Sequence, residues 1–545
     1  MKPLIALLLL CQVATAQRLK KADKLTVANL RNHITYLADD KLEGRRAGTP
    51  GEKLAADYII SQFQKYALES KGENNSYLQE FEINDGKQIL PESYFRVNGA
   101  DLLPEKEYFP MPFSPNITIA ESSLSTSLSE RGVPWFKNLD AALVNSQGNP
   151  HFDMDEFLKT EANNAASKGA SALIVYNTGN LNDEIKFNPK DKSGNAKIPV
   201  IYLTRAAKEK YFKDESAAYD VKFKVALGDK KRLAHNVIAY INNGAPSTVI
   251  LGAHFDHLGY NEDGFSLLRT GEKLVHNGAD DNASGTAALL ELARIIKSEK
   301  IRKNNYLFIA FSGEEMGLFG SKYFTEHPTI DLTTVNYMIN MDMVGRLNDS
   351  THVLTVGGYG TSPAWGEVIS TKADPFAIHV DSSGTGPSDH TSFYRKDIPV
   401  LFFFTGLHSD YHKPTDDADK INYNGELQVI KYINAVITTL NPHAKLAFTK
   451  TREQQMGTSA RFSVTMGIMP DYTFNGEGVR VDGVSDGRPA QKAGLKTGDV
   501  ILKLGDYSTG SLESYMQALG KFKKGDNAKV KVKRGTDEIE FTVVF

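Results

Sequence analysis

The chain has 545 residues, 41% hydrophobic and 24% charged, with a formal net charge of −3. That length exceeds one ordinary domain and leads to an expectation of roughly three or four. The charge balance excludes the strongly basic surface of a nucleic-acid binder, and a single cysteine, Cys11, excludes a disulfide framework.

Residues 1–16 read MKPLIALLLLCQVATA. Lys2 supplies a charged start, Leu4 to Leu10 an apolar segment, and Ala14-Thr15-Ala16 a small-residue cleavage site. This predicts a secretory signal peptide cleaved near Ala16, and with it a secreted or periplasmic protein without cysteine and so without thiol catalysis. The apolar run is too short to span a bilayer, and no later segment is apolar enough to do so. Leu10, where a lipoprotein signal wants a small residue, argues against lipidation of Cys11.

Residues 25–69 carry helical apolar spacing, as in AADYIISQFQKYAL, interrupted by a polar loop, DDKLEGRRAGTPG. Between residues 112 and 228 the pattern changes. AALVNSQG, ALIVYNT and IPVIYLT read as short strands, with TEANNAASKGA as a helix before the second. Residues 235–440 alternate apolar strands with amphipathic helices: HNVIAYI, STVILGAH, GTAALLELARIIKS, NYLFIAFSG, VNYMINMDMVG and PVLFFFTG. That order predicts an α/β domain with a mostly parallel, mixed sheet flanked by helices. Residues 446–545 form a separate unit of short strands, with PAQKAGL and LESYMQALGKF as helices.

Ligand-type side chains gather where the strands of the third region end. GAHFDH supplies His254 and GADDNASGT supplies Asp280 and Asp281. SGEEMG supplies Glu314 and Glu315, NMDMVG supplies Asp342, and DYHKPTDD supplies His412. Each alone has an ordinary explanation, since Asp, Asn and Ser cap helices and lone histidines are common. Together they converge on the carboxyl edge of one sheet, where α/β domains build sites. Imidazoles and carboxylates suit zinc, and more carboxylates than one ion needs suggest two ions sharing a bridging group.

These motifs, with LADDKLEGRRAGTPG, resemble metallopeptidase family twenty-eight over nearly all of residues 30–440. That family comprises di-zinc aminopeptidases related to glutamate carboxypeptidase, glutaminyl cyclase and the transferrin receptor. The resemblance implies a zinc exopeptidase fold and a hydrolase that removes N-terminal residues from peptides. It implies two zinc ions held by His254, Asp281, Glu315, Asp342 and His412, with a cis peptide after Asp281. Glu314 would be the general base toward a metal-bridging water, and Asp256 would hydrogen-bond the far nitrogen of His254. Tyr411 would steady the oxyanion. Asp389 and His390, in PSDHTSF, would line the substrate cleft. His257 and His408 match no ligand role and are read as loop histidines.

Residues 112–228 resemble a protease-associated domain inserted into a peptidase domain of residues 17–111 and 229–445. GRPAQKAGLKTGDVILKLGD resembles part of a PDZ domain, which implies such a domain at 446–545, where a C-terminal peptide would add as a strand at VTMGIMP. Glutaminyl cyclase chemistry is the alternative on the same scaffold, distinguished by one zinc instead of two. Carboxypeptidase action would need a basic pocket, for which Arg346 and Arg395 are the arginines near motifs.

Overall fold

The computed structural model describes residues 20–451 and 464–545, except 147–153, 182–184, 190, 192–194, 269, 271, 300, 371–374, 471–476, 485–486 and 511. The leader read from residues 1–16 lies outside the described residues. No described helix is long and apolar enough to cross a membrane.

Two helices open the chain, α1 (Lys21–Leu37) and α2 (Pro50–Lys65). Helix α1 buries Leu30, Ile34 and Leu37 along one stripe, and α2 starts on Pro50, whose fixed φ suits a first turn. The segment between them is not the exposed polar loop its composition suggests. Leu42, Gly44, Arg45 and Arg46 are all buried there. Gly44 sits at φ +67, and a Cβ on it would come within 2.6 Å of the His276 carbonyl oxygen, so glycine is required.

A nine-stranded sheet carries the site. Its strands are β1 (Glu69–Ser70), β2 (Leu78–Ile89), β3 (Leu227–Ile241), β4 (Thr248–His254), β5 (Asn305–Phe311), β6 (Val335–Met341), β7 (Val353–Gly357), β8 (Ala377–Val380) and β9 (Val400–Phe404). The order is β1–β3–β5–β4–β6–β9–β7–β8, with β2 also on β3. Strands β5, β4, β6 and β9 are mutually parallel, while β3 and β7 join them antiparallel. Every residue of β4, β5 and β6 is buried, in keeping with their largely apolar sequences.

Helices cover the sheet. Leu30 of α1, Ile59 and Phe63 of α2, Leu289 and Leu292 of α3 (Gly285–Ser298), and Ile433 of α4 (Tyr423–Leu440) pack with Val249 and Leu251 of β4. Ile250 faces the other way, into a cluster with Leu307, Ile309, Phe324 and Phe393. Each fully buried Leu, Ile or Phe contributes about 1.5–3 kcal/mol of transfer free energy. The register brings the parallel strands to one edge: His254 pairs with Phe311, Gly252 with Asn340, and Met341 with Phe403.

Residues 82–233 form a compact unit of their own. Its core is built on two four-stranded sheets. The expected boundary at residue 112 falls inside it. Tyr94–Val97 pairs with Ala218–Val225, and Tyr108–Pro110 with Val200–Leu203, so the earlier strands cannot be separated from the later ones. Of AALVNSQG, expected as a strand, residues 141–146 lie in the helix Asp140–Ser146, and residues 147 and 148 lie outside the described residues. Asn138 Oδ1 accepts the Asp140 amide at 3.2 Å, and Ala and Leu then favour the helix.

The C-terminal unit runs in strand order Ile468–Pro470, Val479–Val484, Val500–Leu504, Asn527–Arg534, Asp537–Val544. It packs Met466, Val481, Ile501, Val530 and Val532 into a separate core with Tyr515 and Leu519. Residues 446–451 precede it and are held by the domain of the nine-stranded sheet. The Leu446 amide bonds Asn336 Oδ1 at 2.8 Å, and the Thr451 amide bonds the Tyr394 hydroxyl at 3.0 Å.

Candidate metal centre

His254, the last residue of β4, is 1% exposed. Its Nδ1 lies 3.2 Å from the Asp256 carbonyl oxygen, which turns Nε2 outward. Nε2 is 3.4 Å from Asp281 Oδ1, 3.4 Å from Asp342 Oδ1 and 3.9 Å from Glu314 Oε2. Asp342 follows β6 directly. Its Oδ2 accepts the Ser388 hydroxyl at 2.8 Å, and Ser388 in turn accepts from Asn340 Nδ2 at 2.8 Å.

Asp281 stands in the turn that enters α3. Asp416 Oδ2 accepts the amides of both Asp280 (2.9 Å) and Asp281 (3.1 Å), fixing that turn. The Asp281–Asn282 peptide bond is cis. The two neighbouring aspartates point to different places. Asp280 Oδ1 accepts the Gly345 amide at 2.7 Å and the Ser284 hydroxyl at 3.0 Å, and its Oδ2 faces His408 Nε2 at 3.2 Å. Asp281 turns Oδ1 to His254 and Oδ2 to His412 Nε2, at 3.2 Å.

His412 completes a second group. Its Nε2 is also 3.2 Å from Glu315 Oε2, while its Nδ1 lies 3.2 Å from the Phe265 carbonyl oxygen. Tyr411 stacks on the His412 ring with centroids 3.9 Å apart.

Zinc binds N and O ligands at about 2.0–2.1 Å, so donors at tetrahedral corners lie about 3.3 Å apart. The separations of 3.2–3.4 Å in both groups match that edge. His254, Asp281 and Asp342 form one donor set; Asp281 and Glu315 form the other, with both His412 and His257 beside them and Asp281 shared. The donor chemistry and spacing therefore fit two zinc ions.

The protein's own charges separate the adjacent glutamates. Burial raises the Glu314 carboxyl well above the usual range, with His254 pulling against it. Burial also acts on Glu315, but His412 and His257 outweigh it and bring the carboxyl down to about 2. Asp281, equally buried, is held well below the usual range by hydrogen bonds to His254 and His412.

Several residues depart from their sequence reading. The carboxylate of Asp256 accepts the Glu314 amide through Oδ1 at 3.1 Å, while its distance to His254 Nδ1 is 3.7 Å. The backbone carbonyl of Asp256 stands nearer the imidazole. Asp389 and His390 are buried, at 0% and 2% exposure, and do not line an open cleft. His390 stacks on Phe402 at 4.6 Å, and burial lowers its imidazole to about 3. Arg346 bonds Asp410 at 3.3 Å. His257 and His408 are not idle loop histidines, since His257 faces Glu315 and His408 faces Asp280, the neighbour of Asp281.

Arg45 escaped the sequence reading altogether. It is fully buried and donates to the carbonyls of Leu37, Phe255 (2.7 Å), Asn277 (2.6 Å) and Gly278 (3.0 Å). The carbonyl of Leu37 ends α1, and the other three belong to the segments just after His254 and just before Asp281. Burial lowers its guanidinium to about 10, with Asp256, Asp281, Asp416 and Glu315 opposing, so it remains a cation at neutral pH.

Residues 236–437 match the sequence model of Peptidase family M28, and residues 450–544 that of the PDZ domain. The aminopeptidase YwaD of Bacillus subtilis is 27% identical over 395 residues, covering 69% of this chain and 77% of that protein. An aminopeptidase of Pseudomonas aeruginosa is 24% identical over 390 residues, covering 66% of this chain and 67% of that protein. Among solved structures, the chain is similar to BSAP, a zinc aminopeptidase from Bacillus subtilis, with 22% identity over 77% of this chain and 95% of that one, at a TM-score of 0.42.

Proposed function

Because the chain carries a peptidase family M28 domain, with a PDZ domain behind it, we infer that it is a zinc-dependent aminopeptidase that releases N-terminal residues from peptides. The observation that carries this reading is Asp281, whose two oxygens face two different imidazoles, His254 and His412. A carboxylate so shared suits a pair of dications. His254 and Asp342 would hold one zinc, His412 and Glu315 the other, and Asp281 both. When bound, zinc polarises a carbonyl and acidifies water.

The chain's own groups divide the remaining work. Glu314, beside His254 and anchored through its amide to Asp256, is the proton acceptor and later the donor to the leaving amine. Tyr411, steadied against the His412 ring, is the hydroxyl that supports the developing oxyanion. The surrounding carboxylates favour a substrate with a free ammonium.

The PDZ domain would take a free peptide C-terminus against its edge strand Ile468–Pro470, with helix Leu512–Leu519 flanking the groove. Export follows from the leader in residues 1–16, and residues 112–228, within the 82–233 unit, are read as a protease-associated domain. The test is elemental analysis joined to an assay on an aminoacyl anilide. Two zinc ions per active chain, with activity lost on chelation and regained on adding zinc, are expected. One ion per active chain would favour the cyclase chemistry instead.

A further inference from the structure

We propose that His257 is a positioning residue for the metal centre, holding one oxygen of Glu315 so that only the other reaches zinc. The proposal rests on the reading of Glu315 as a ligand and adds a partner that fixes how it binds.

The distances assign the two oxygens of Glu315 separately. Oε1 lies 2.6 Å from His257 Nδ1. Two donors on one tetrahedral zinc stand about 3.3 Å apart, so that pair is too close to be co-ligands. It is at the length of a charge-assisted hydrogen bond, with Nδ1–H donating. Oε2 lies 3.2 Å from His412 Nε2, which is the spacing of co-ligands. A carboxylate pinned at Oε1 binds through Oε2 alone, and a single-oxygen ligand leaves one more position on the ion for water or substrate.

His257 is itself held on several sides. Its side chain is fully buried. Its amide donates to the Arg45 carbonyl at 3.3 Å. Its ring meets the His412 ring edge-on, with centroids 5.8 Å apart. Gly278 closes the remaining side: a Cβ there would fall 2.5 Å from His257 Cδ2. His257 therefore joins Glu315 to the strand that ends in His254 and to the turn that bears Asp281. Partners of this kind typically change metal affinity 10–100-fold when removed.

The experiment uses the full-length protein and the variants His257→Ala, His257→Asn and His257→Gln. Zinc affinity is read by competition with a chromogenic chelator, and stoichiometry by elemental analysis. An Asn amide nitrogen occupies the place of Nδ1, whereas a Gln amide nitrogen occupies that of Nε2. His257→Ala is expected to bind two zinc ions at saturation, with one of them about 10–100-fold weaker. His257→Asn is expected to recover most of that loss and His257→Gln little of it. If His257→Ala does not fold, the Asn and Gln variants still decide the matter, because equal zinc affinities in the two overturn the proposal. Unchanged affinity in His257→Ala also overturns it. One ion at saturation in His257→Ala would make His257 a ligand, which overturns it as well. Failure of the underlying reading looks different: Glu315→Ala would then bind zinc as tightly as the parent.

Discussion

Asp256 holds the backbone of Glu314. Its Oδ1 accepts the Glu314 amide at 3.1 Å, tying the segment after β4 to the segment after β5. The position of the proposed base thus depends on a carboxylate two residues beyond His254, a proposed metal ligand. Asp256→Ala leaves that amide without its acceptor, at a cost of about 1–3 kcal/mol. The expected result is a fall in kcat of about 10–100-fold with zinc content unchanged. Asp256→Asn keeps an oxygen at Oδ1 and should lose less. A larger loss in Asn than in Ala would refute this account.

The adjacent glutamates should separate by mutation. Glu314→Gln is expected to retain both zinc ions and lose turnover by about 10²–10⁴-fold, as for a general base. Glu315→Ala is expected to weaken zinc binding first, and excess zinc should restore part of its activity. Elemental analysis and the anilide assay together check both. Zinc loss in Glu314→Gln would reverse the assignment.

Free amino termini should be required. A carboxylate-rich site attracts an ammonium and gives nothing to a neutral acetamide. N-acetylated peptides are expected to be cleaved at least about tenfold more slowly than their free counterparts, measured as kcat/KM. Equal rates would point to another substrate class.

The strip 446–451 sets where the C-terminal unit can be removed. Leu446 is buried, the Phe448 ring lies 5.5 Å from Tyr394, and the Thr451 hydroxyl accepts the Gly384 amide at 3.0 Å. A chain ending after Thr451 is expected to keep its activity on a short anilide. A chain ending after Lys445 loses a buried leucine and several hydrogen bonds, roughly 2–5 kcal/mol. Thermal unfolding of the two truncated chains checks this, and equal melting temperatures would refute it.

Stability should carry a pH dependence at His235. Its Nδ1 faces Glu52 Oε2 at 3.2 Å, and that hydrogen bond raises the imidazole above its ordinary value, burial opposing. A raised value stabilises fully below the unfolded-state pKa of about 6.5, and the gain disappears as pH rises through the folded value. The difference in unfolding free energy between the parent and His235→Gln should therefore be larger at pH 6 than at pH 9, by urea titration. An equal difference at both would refute it.

Much of the site was legible because its residues stand next to strong local signals. His254 and Asp342 stand at or just past the ends of apolar strands, and Asp280 and Asp281 open a helix. The partners of His257 and His408 were hidden because they are carboxylates far along the chain. Arg45 was hidden for a related reason. Composition marks its segment as polar and exposed, but its partners are main-chain carbonyls, which leave no pattern in side-chain identity. The helix Asp140–Ser146 was misread because a short apolar run has no period long enough to distinguish it from a strand.

Three of the four carbonyls around Arg45 also set a timetable. Phe255 lies 210 residues beyond it. At roughly 5–20 residues per second, the ribosome delivers that partner about 10–40 s after the arginine. Residues 82–233 emerge within this interval and carry their own cores. The inserted unit can finish folding while the first two helices are still waiting for the strands they cover. An arginine that braces the proposed metal centre is thus synthesised early and gains three of its four carbonyl partners late.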